Sequence, residues 1–293
     1  MTLGTTSIVG ILTAVVGAIL LAFGAQLQHR GVAEVNAAAD GGQRGTLGWR
    51  QLVRLLRTRR WLGGVGLTGC AMALNLVSLR LAPLIVVQPL GVVALVTTAL
   101  LNAGAHRYRL SGRSIASIAV CVVGVAAFVT IGGLTARNAV VSDADLGTVL
   151  LVLAVLVLVL GVAAVTLRRR FPATINVISA GVLSGFVVTL AKAAVTRVSV
   201  GNFGLLTVVG LLAVVAVAAT SAYFVQSAYA SGPVDLIVAG LTIVDPLVAV
   251  SLGILVLGEA AQTPGWAAAG YVGSGALAIV GVFLLAKYHP QER

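Results

Sequence analysis

Nine runs of about twenty consecutive apolar residues, each long enough to cross the hydrocarbon of a bilayer, leave this chain almost no choice of fold. They lie at Ser7 to Leu27, Trp61 to Leu79, Leu81 to Ala103, Ser114 to Leu134 and Leu146 to Leu167, then at Asn176 to Val198, Gly204 to Tyr229, Pro233 to Val256 and Gly265 to Ala286. In lipid a segment must pair its own backbone amides and carbonyls, so each run is predicted as a helix. The fold class is an all-α polytopic membrane protein with about nine transmembrane helices. With 59 % hydrophobic and 9 % charged residues, a soluble domain is excluded, since about a quarter of its residues would carry charge. Met1 to Ser7 contains no Lys or Arg, so the first run lacks the basic start of a signal peptide and reads as the first helix. Cys70 and Cys121 fall inside apolar runs, which leaves neither a disulfide framework nor a metal-ligand spacing.

The net charge of +11 does not mark a nucleic-acid protein, because the cations lie between spans instead of on one soluble patch. All Lys and Arg except Arg80, Arg137, Arg197 and the intramembrane Lys192 fall on the side holding Arg30 to Arg60. The positive-inside rule then puts the N-terminus outside and the C-terminus in the cytoplasm of a plasma (inner) membrane protein. Within residues 47–60, the stretch WRQLVRLLRTRR has Arg50, Arg54 and Arg57 on one helical face and Trp49, Leu52, Val53 and Leu56 on another. That spacing suits a helix lying on the cytoplasmic leaflet, with its arginines on anionic headgroups. A solvated basic loop is the alternative.

The run Pro233 to Val256 carries Asp245 and Pro246 side by side at its middle. A charge at that depth costs at least about 2.5 to 3.5 kcal/mol. Pro246 cannot donate to the Thr242 carbonyl and crowds it, so the helix is expected to kink or open there. A broken helix beside an ionisable group at mid-membrane is how many transporters build a binding site. The structural alternative is a kink whose acid only sets packing. QPLGVVALVTTALLNA from Gln88 and DPLVAVSLGILVLGEA from Asp245 share Pro, Leu, Val, Leu, Leu and Ala at a fixed offset of 157. Gln88 and Pro89 thereby become counterparts of Asp245 and Pro246. Two four-helix copies, residues 1–135 and 176–293, would be joined by one linking helix at 146–167, and that extra crossing turns the second copy upside down.

GAQLQHRGV at Gly24 to Val32, followed by WLGGVGLTGCAMALNLVSLRLAPLIVVQPLGVV at Trp61 to Val93, resembles the NIPA-type branch of the drug/metabolite transporter (DMT) superfamily. AGVLSGFVVTLAKA at Ala180 to Ala193 is similar to the opening of the NIPA second half, and VDPLVAVSLGILVLGEA at Val244 to Ala260 resembles the EamA repeat. The resemblance implies a bundle of inverted four-helix units and alternating access to a small solute. Glu259 matches the acid that EamA-type repeats place at the end of their proline-bearing helix, where the first copy offers Asn102 or the Arg107 region. The NIPA likeness raises magnesium as cargo, but Mg²⁺ wants several oxygen ligands. Asp245 is the one deep carboxylate, and Lys192 opposes a concentrated negative site.

Candidate substrate-binding residues are Asp245, Lys192, Gln88, Asn75, Tyr223 and Gln226, with Pro89 and Pro246 as helix breaks. Three readings of Lys192 stand side by side: it snorkels to the outer interface, pairs with Asp245 across a depth difference of about 8 to 9 Å, or meets an anionic substrate. Thr220, Tyr223, Gln226 and Ser227 form one stripe expected to face the bundle interior, lining a cavity or joining helices. His29, His106 and His289 lie in loops or the tail, and no metal triplet or nucleophile elbow is present. The expectation is therefore a non-enzyme with no cofactor and no metal centre. Its partners would be a small-molecule or ion substrate and membrane lipids, with a homodimer as an allowed assembly. An anionic lipid, handled by Lys192 and the basic face at Arg50 to Arg60, is the alternative cargo.

Overall fold

The computed structural model describes residues 5–37, 56–105, 111–138, 141–167, 172–231 and 234–288. They are helical almost throughout: α1 Thr5–Ala37, α2 Arg59–Leu81, α3 Leu84–Val87, a 3-10 turn Gln88–Gly91, α4 Val92–Ala105 and α5 Gly112–Thr135. Then come α6 Asp143–Leu167, α7 Pro172–Ser199, α8 Leu205–Ser231, α9 Val234–Leu255 and α10 Gly265–Tyr288. Eight described spans are long and apolar enough to cross a membrane, and α9 adds a shorter apolar stretch, Gly240–Leu255. Large apolar side chains such as Leu12, Met72, Val123, Leu158, Leu212, Val272 and Phe283 are exposed on the outside of the bundle. A water-soluble monomer does not carry so continuous an apolar surface. This is a multi-pass membrane protein.

Helix pairing rests on small residues that let backbones touch. In the antiparallel α1–α2 hairpin, Gly10 meets Leu81 and Ala82 while Gly31 meets Trp61. The antiparallel α5–α10 pair is closest where a Cβ on Gly281 would stand 2.4 Å from the Cys121 amide nitrogen and one on Gly124 would stand 2.5 Å from that of Ala278. No larger residue fits there without separating the helices. The Tyr271 hydroxyl on α10 shares a 2.8 Å hydrogen bond with Thr135 on α5.

Helix α7 lies deepest, with Leu183, Phe186, Leu190 and Lys192 buried. It runs antiparallel to α8, with Ser184 bonded to Ser221 at 2.8 Å. It runs parallel to α9, since Val177, Gly181 and Gly185 meet Gly240, Val244 and Val248 in that order. Helix α6 packs on α7 and turns Leu151, Val155 and Leu158 outward.

One expectation changes here. Helix α9 does not open at Pro246 but continues through it as a single helix. The third run is one span, Leu84–Leu101, whose backbone passes through a 3-10 turn at Gln88–Gly91, where Pro89 and the poor helix former Gly91 break the α-helical geometry. Of the amphipathic segment, Trp49, Arg50 and Arg54 lie outside the described residues. Leu56 and Arg57 form an exposed turn, and α2 begins at Arg59.

Candidate functional site

One end of the bundle closes on Glu259. Helix α9 finishes at Leu255, and Gly258, at a φ of 66°, reverses the chain so that Glu259 points back into the protein. A positive φ is a conformation glycine adopts without steric cost. The carboxylate finds the start of α3, where Pro83 caps the helix and the amides of Leu84 and Ile85 have no intrahelical acceptor. Glu259 Oε1 accepts from the Leu84 amide at 2.8 Å and Oε2 from the Ile85 amide at 3.0 Å. The following amides of Val86 and Val87 donate to the Pro83 carbonyl.

Lys192 completes this cluster. Its ammonium forms an ion pair with Glu259 Oε1 and donates to the Ala82 carbonyl at 3.1 Å. Both side chains are sealed, at 1 % and 0 % exposure. A buried ion pair survives desolvation only when its remaining hydrogen-bonding capacity is used, and here backbone groups use it on both sides. The Glu259 carbonyl also accepts from the Arg137 amide at 2.9 Å. Glu259 thus ties together the end of α9, the C-terminal third of α7, the α2–α3 turn and the segment after α5. Gly253 leaves room for it: a Cβ there would stand 3.0 Å from Oε2.

Lys192 therefore neither snorkels nor pairs with Asp245. The nearest complete set of acceptors lies toward the bundle end, and it is assembled by a loop and a turn far away in sequence. Glu259 was legible as an acid closing a proline-bearing helix, but its role as the partner of Lys192 was not.

Asp245 lies midway along α9, and Gln88 opens the 3-10 turn that follows α3. Each is half-buried, and the buried Asp245 Oδ1 and Gln88 Nε2 have no hydrogen-bond partner. Their elements, α9 and the 3-10 turn, are in contact. Beside them lies a cavity of about 90 Å³ between the 3-10 turn, α5, α9 and α10. Pro89 and Pro246 both line it, with Thr242, Phe128, Val250 and Ala278. Its wall is apolar apart from Thr242. The two prolines that sequence comparison pairs do converge, and the carboxylate of Asp245 stands next to this wall instead of in it.

The other expected lining residues face outward. Asn75 is exposed on α2, Gln226 and Thr220 are exposed on α8, and Tyr223 is 57 % exposed. The Thr220 hydroxyl donates to the Ala216 carbonyl of its own helix at 2.8 Å, so it needs no neighbour to avoid an unpaired group. Beside this stripe the interior polar residue is Ser221, one position on from Thr220, which also donates to the Ala180 carbonyl at 3.1 Å; Thr207, near the start of α8, is buried too. Sequence alone offered no sign of that one-residue rotation. Among the described residues no three of His, Cys, Asp and Glu gather to hold a metal ion.

No family model matches the chain. No solved structure matches it. A protein of Corynebacterium glutamicum, itself described only as uncharacterised, is 29 % identical over 265 residues covering 89 % of each chain. The similarity thus extends across nearly the whole bundle.

Proposed function

We propose that the protein is a secondary transporter of the drug/metabolite type, moving a small solute across the plasma membrane by alternating access. Asp245 and Gln88 take the solute or its coupling ion. The observation that carries this reading is the pair of buried, unpartnered polar atoms on Asp245 and Gln88, on two touching elements whose prolines meet at one cavity. Polar groups left unpaired in a dry interior cost about 1 to 3 kcal/mol each, and a passing ligand or water would satisfy them.

Inverted repeats are part of the reading. In each half the first two long helices form an antiparallel hairpin, α1–α2 and α7–α8, and the third long helix packs on the first. The last helices of the halves, α5 and α10, pair antiparallel with each other. Such an arrangement supports two copies of opposite direction with a site between them. In this state the Lys192–Glu259 cluster shuts the end that the charge distribution assigns to the outside.

Uptake or exchange in proteoliposomes tests the proposal. Candidate solutes come from thermal-shift screening against divalent cations, amines, sugar phosphates and polyprenyl lipids. Asp245→Asn abolishes transport while the protein still elutes as a folded species; unchanged transport removes Asp245 from the mechanism. An anionic-lipid flippase is the second reading, favoured by an apolar groove of about 470 Å³ along α6, α7 and α9. Against it, the ammonium of Lys192 is already engaged by Glu259.

A further inference from the structure

At the end closed by Glu259 a cavity of about 710 Å³ opens between the start of α1, the end of α2 and the segments after α5 and before α10. Arg80 and Arg137 both line it, joined by Ser7, Thr135, Asn138 and Gln262. The Asn138 side chain donates to the Arg80 carbonyl at 2.6 Å, which brings the two arginine-bearing segments together. Three arginines mark this end of the bundle. Arg197 is engaged by Asp143, Thr207 and the Val141 carbonyl. Asp145 accepts from Ser142, and the Glu259 carboxylate is buried beneath with Lys192. Among the described residues, Arg80 and Arg137 have no carboxylate partner, and both face the same cavity.

We infer that this vestibule is an anion-binding site, taking a phosphate- or carboxylate-bearing group between the guanidiniums of Arg80 and Arg137. The positive-inside rule gathers arginines on the opposite face; it does not explain why two unpaired ones lie at this end and share one cavity. Each guanidinium presents five donors in a fork that fits two oxygens of such a group. The hydroxyl of Ser7 and the amide of Gln262 on the same wall supply neutral partners. Both arginines lie at or just beyond a helix C-terminus, where the dipole favours a cation without consuming its donors. The wall also has a physical link to the closed cluster, because the Arg137 amide donates to the Glu259 carbonyl. That the bound anion is the transported solute rests on the transporter reading; the site itself does not.

The test is equilibrium binding to purified full-length protein in phosphatidylcholine nanodiscs, read by thermal shift, with inorganic phosphate as the first probe. A second arm replaces a fifth of the lipid by phosphatidylglycerol and omits phosphate. Either probe stabilises the wild type, and Arg80→Gln or Arg137→Gln weakens the response about tenfold. The double variant loses the response, whereas Arg30→Gln at the opposite end keeps it. A phosphate response identifies a free anion; a response to phosphatidylglycerol alone identifies a lipid headgroup. Arg80→Lys with Arg137→Lys retains the charge and part of the response, which guards against a folding defect in the glutamine pair. No response to either probe, or an equal response in the double glutamine variant, overturns the proposal. Binding is measured without a gradient, so a protein that binds phosphate but moves no solute would count against the carrier alone.

Discussion

Lys192 and Glu259 stand 67 residues apart in the chain and meet as an ion pair closed off from solvent on all sides. The pair is held by groups that neither residue contributes: the Ala82 carbonyl and the amides of Leu84 and Ile85. Through these groups it joins the α2–α3 turn to α7 and to the loop after α9. A movement that carries the α2–α3 turn away from α7 must break the bonds to the Ala82 carbonyl and to the Leu84 and Ile85 amides, and it leaves the ion pair without its backbone partners.

Removing one charge leaves the other stranded. Glu259→Gln is expected to cost about 3 to 5 kcal/mol, seen as a large fall in the thermal midpoint of the detergent-solubilised protein. Adding Lys192→Met to Glu259→Gln recovers much of that loss, because no lone charge remains buried. A double variant as unstable as the sum of its single variants would mean that the two side chains do not interact.

On the carrier reading proposed above, opening at this end exposes the start of α3. Ile85 is fully buried, so Ile85→Cys resists a membrane-impermeant maleimide in the resting protein. With the saturating solute found by screening, labelling accelerates. Protection that never changes during transport places the moving gate elsewhere.

Asp245→Asn should leave the thermal midpoint unchanged or raise it. The carboxylate has a buried oxygen with no partner in the native protein, and exchanging a charge for an amide lowers the desolvation cost. Loss of transport together with retained stability separates a functional carboxylate from a structural one. A fall of several degrees would point instead to a packing role.

The stripe on α8 gives the opposite expectation. Tyr223→Phe and Gln226→Ala change exposed positions, so uptake stays at wild-type rates and stability moves within about 0.5 kcal/mol. Transport measured in the same proteoliposomes as Asp245→Asn provides the comparison.

The contact between α5 and α10 tolerates no added carbon. Gly281→Ala drives a methyl group toward the Cys121 backbone, 2.4 Å away, and overpacking of this kind costs about 1 to 3 kcal/mol. Gly66→Ala on α2, where nothing lies within 4 Å, has no such effect. Thermal midpoints of the two variants measure the difference directly.

The amino-acid sequence was sufficient for the helices themselves, because in lipid a segment answers for its own backbone, and a run of apolar residues has one way of doing so. It also paired Pro89 with Pro246, which line one cavity. Rotation of each helix about its axis was decided only by packing. Lipid is as apolar as the core, and a hydroxyl such as that of Thr220 is satisfied within its own helix, so spacing cannot say which side of α8 faces in. Partners from distant segments were likewise hidden. Lys192 could be placed in depth by counting residues, but the carboxylate that neutralises it arrives only once Gly258 turns the chain and the α2–α3 turn offers its amides.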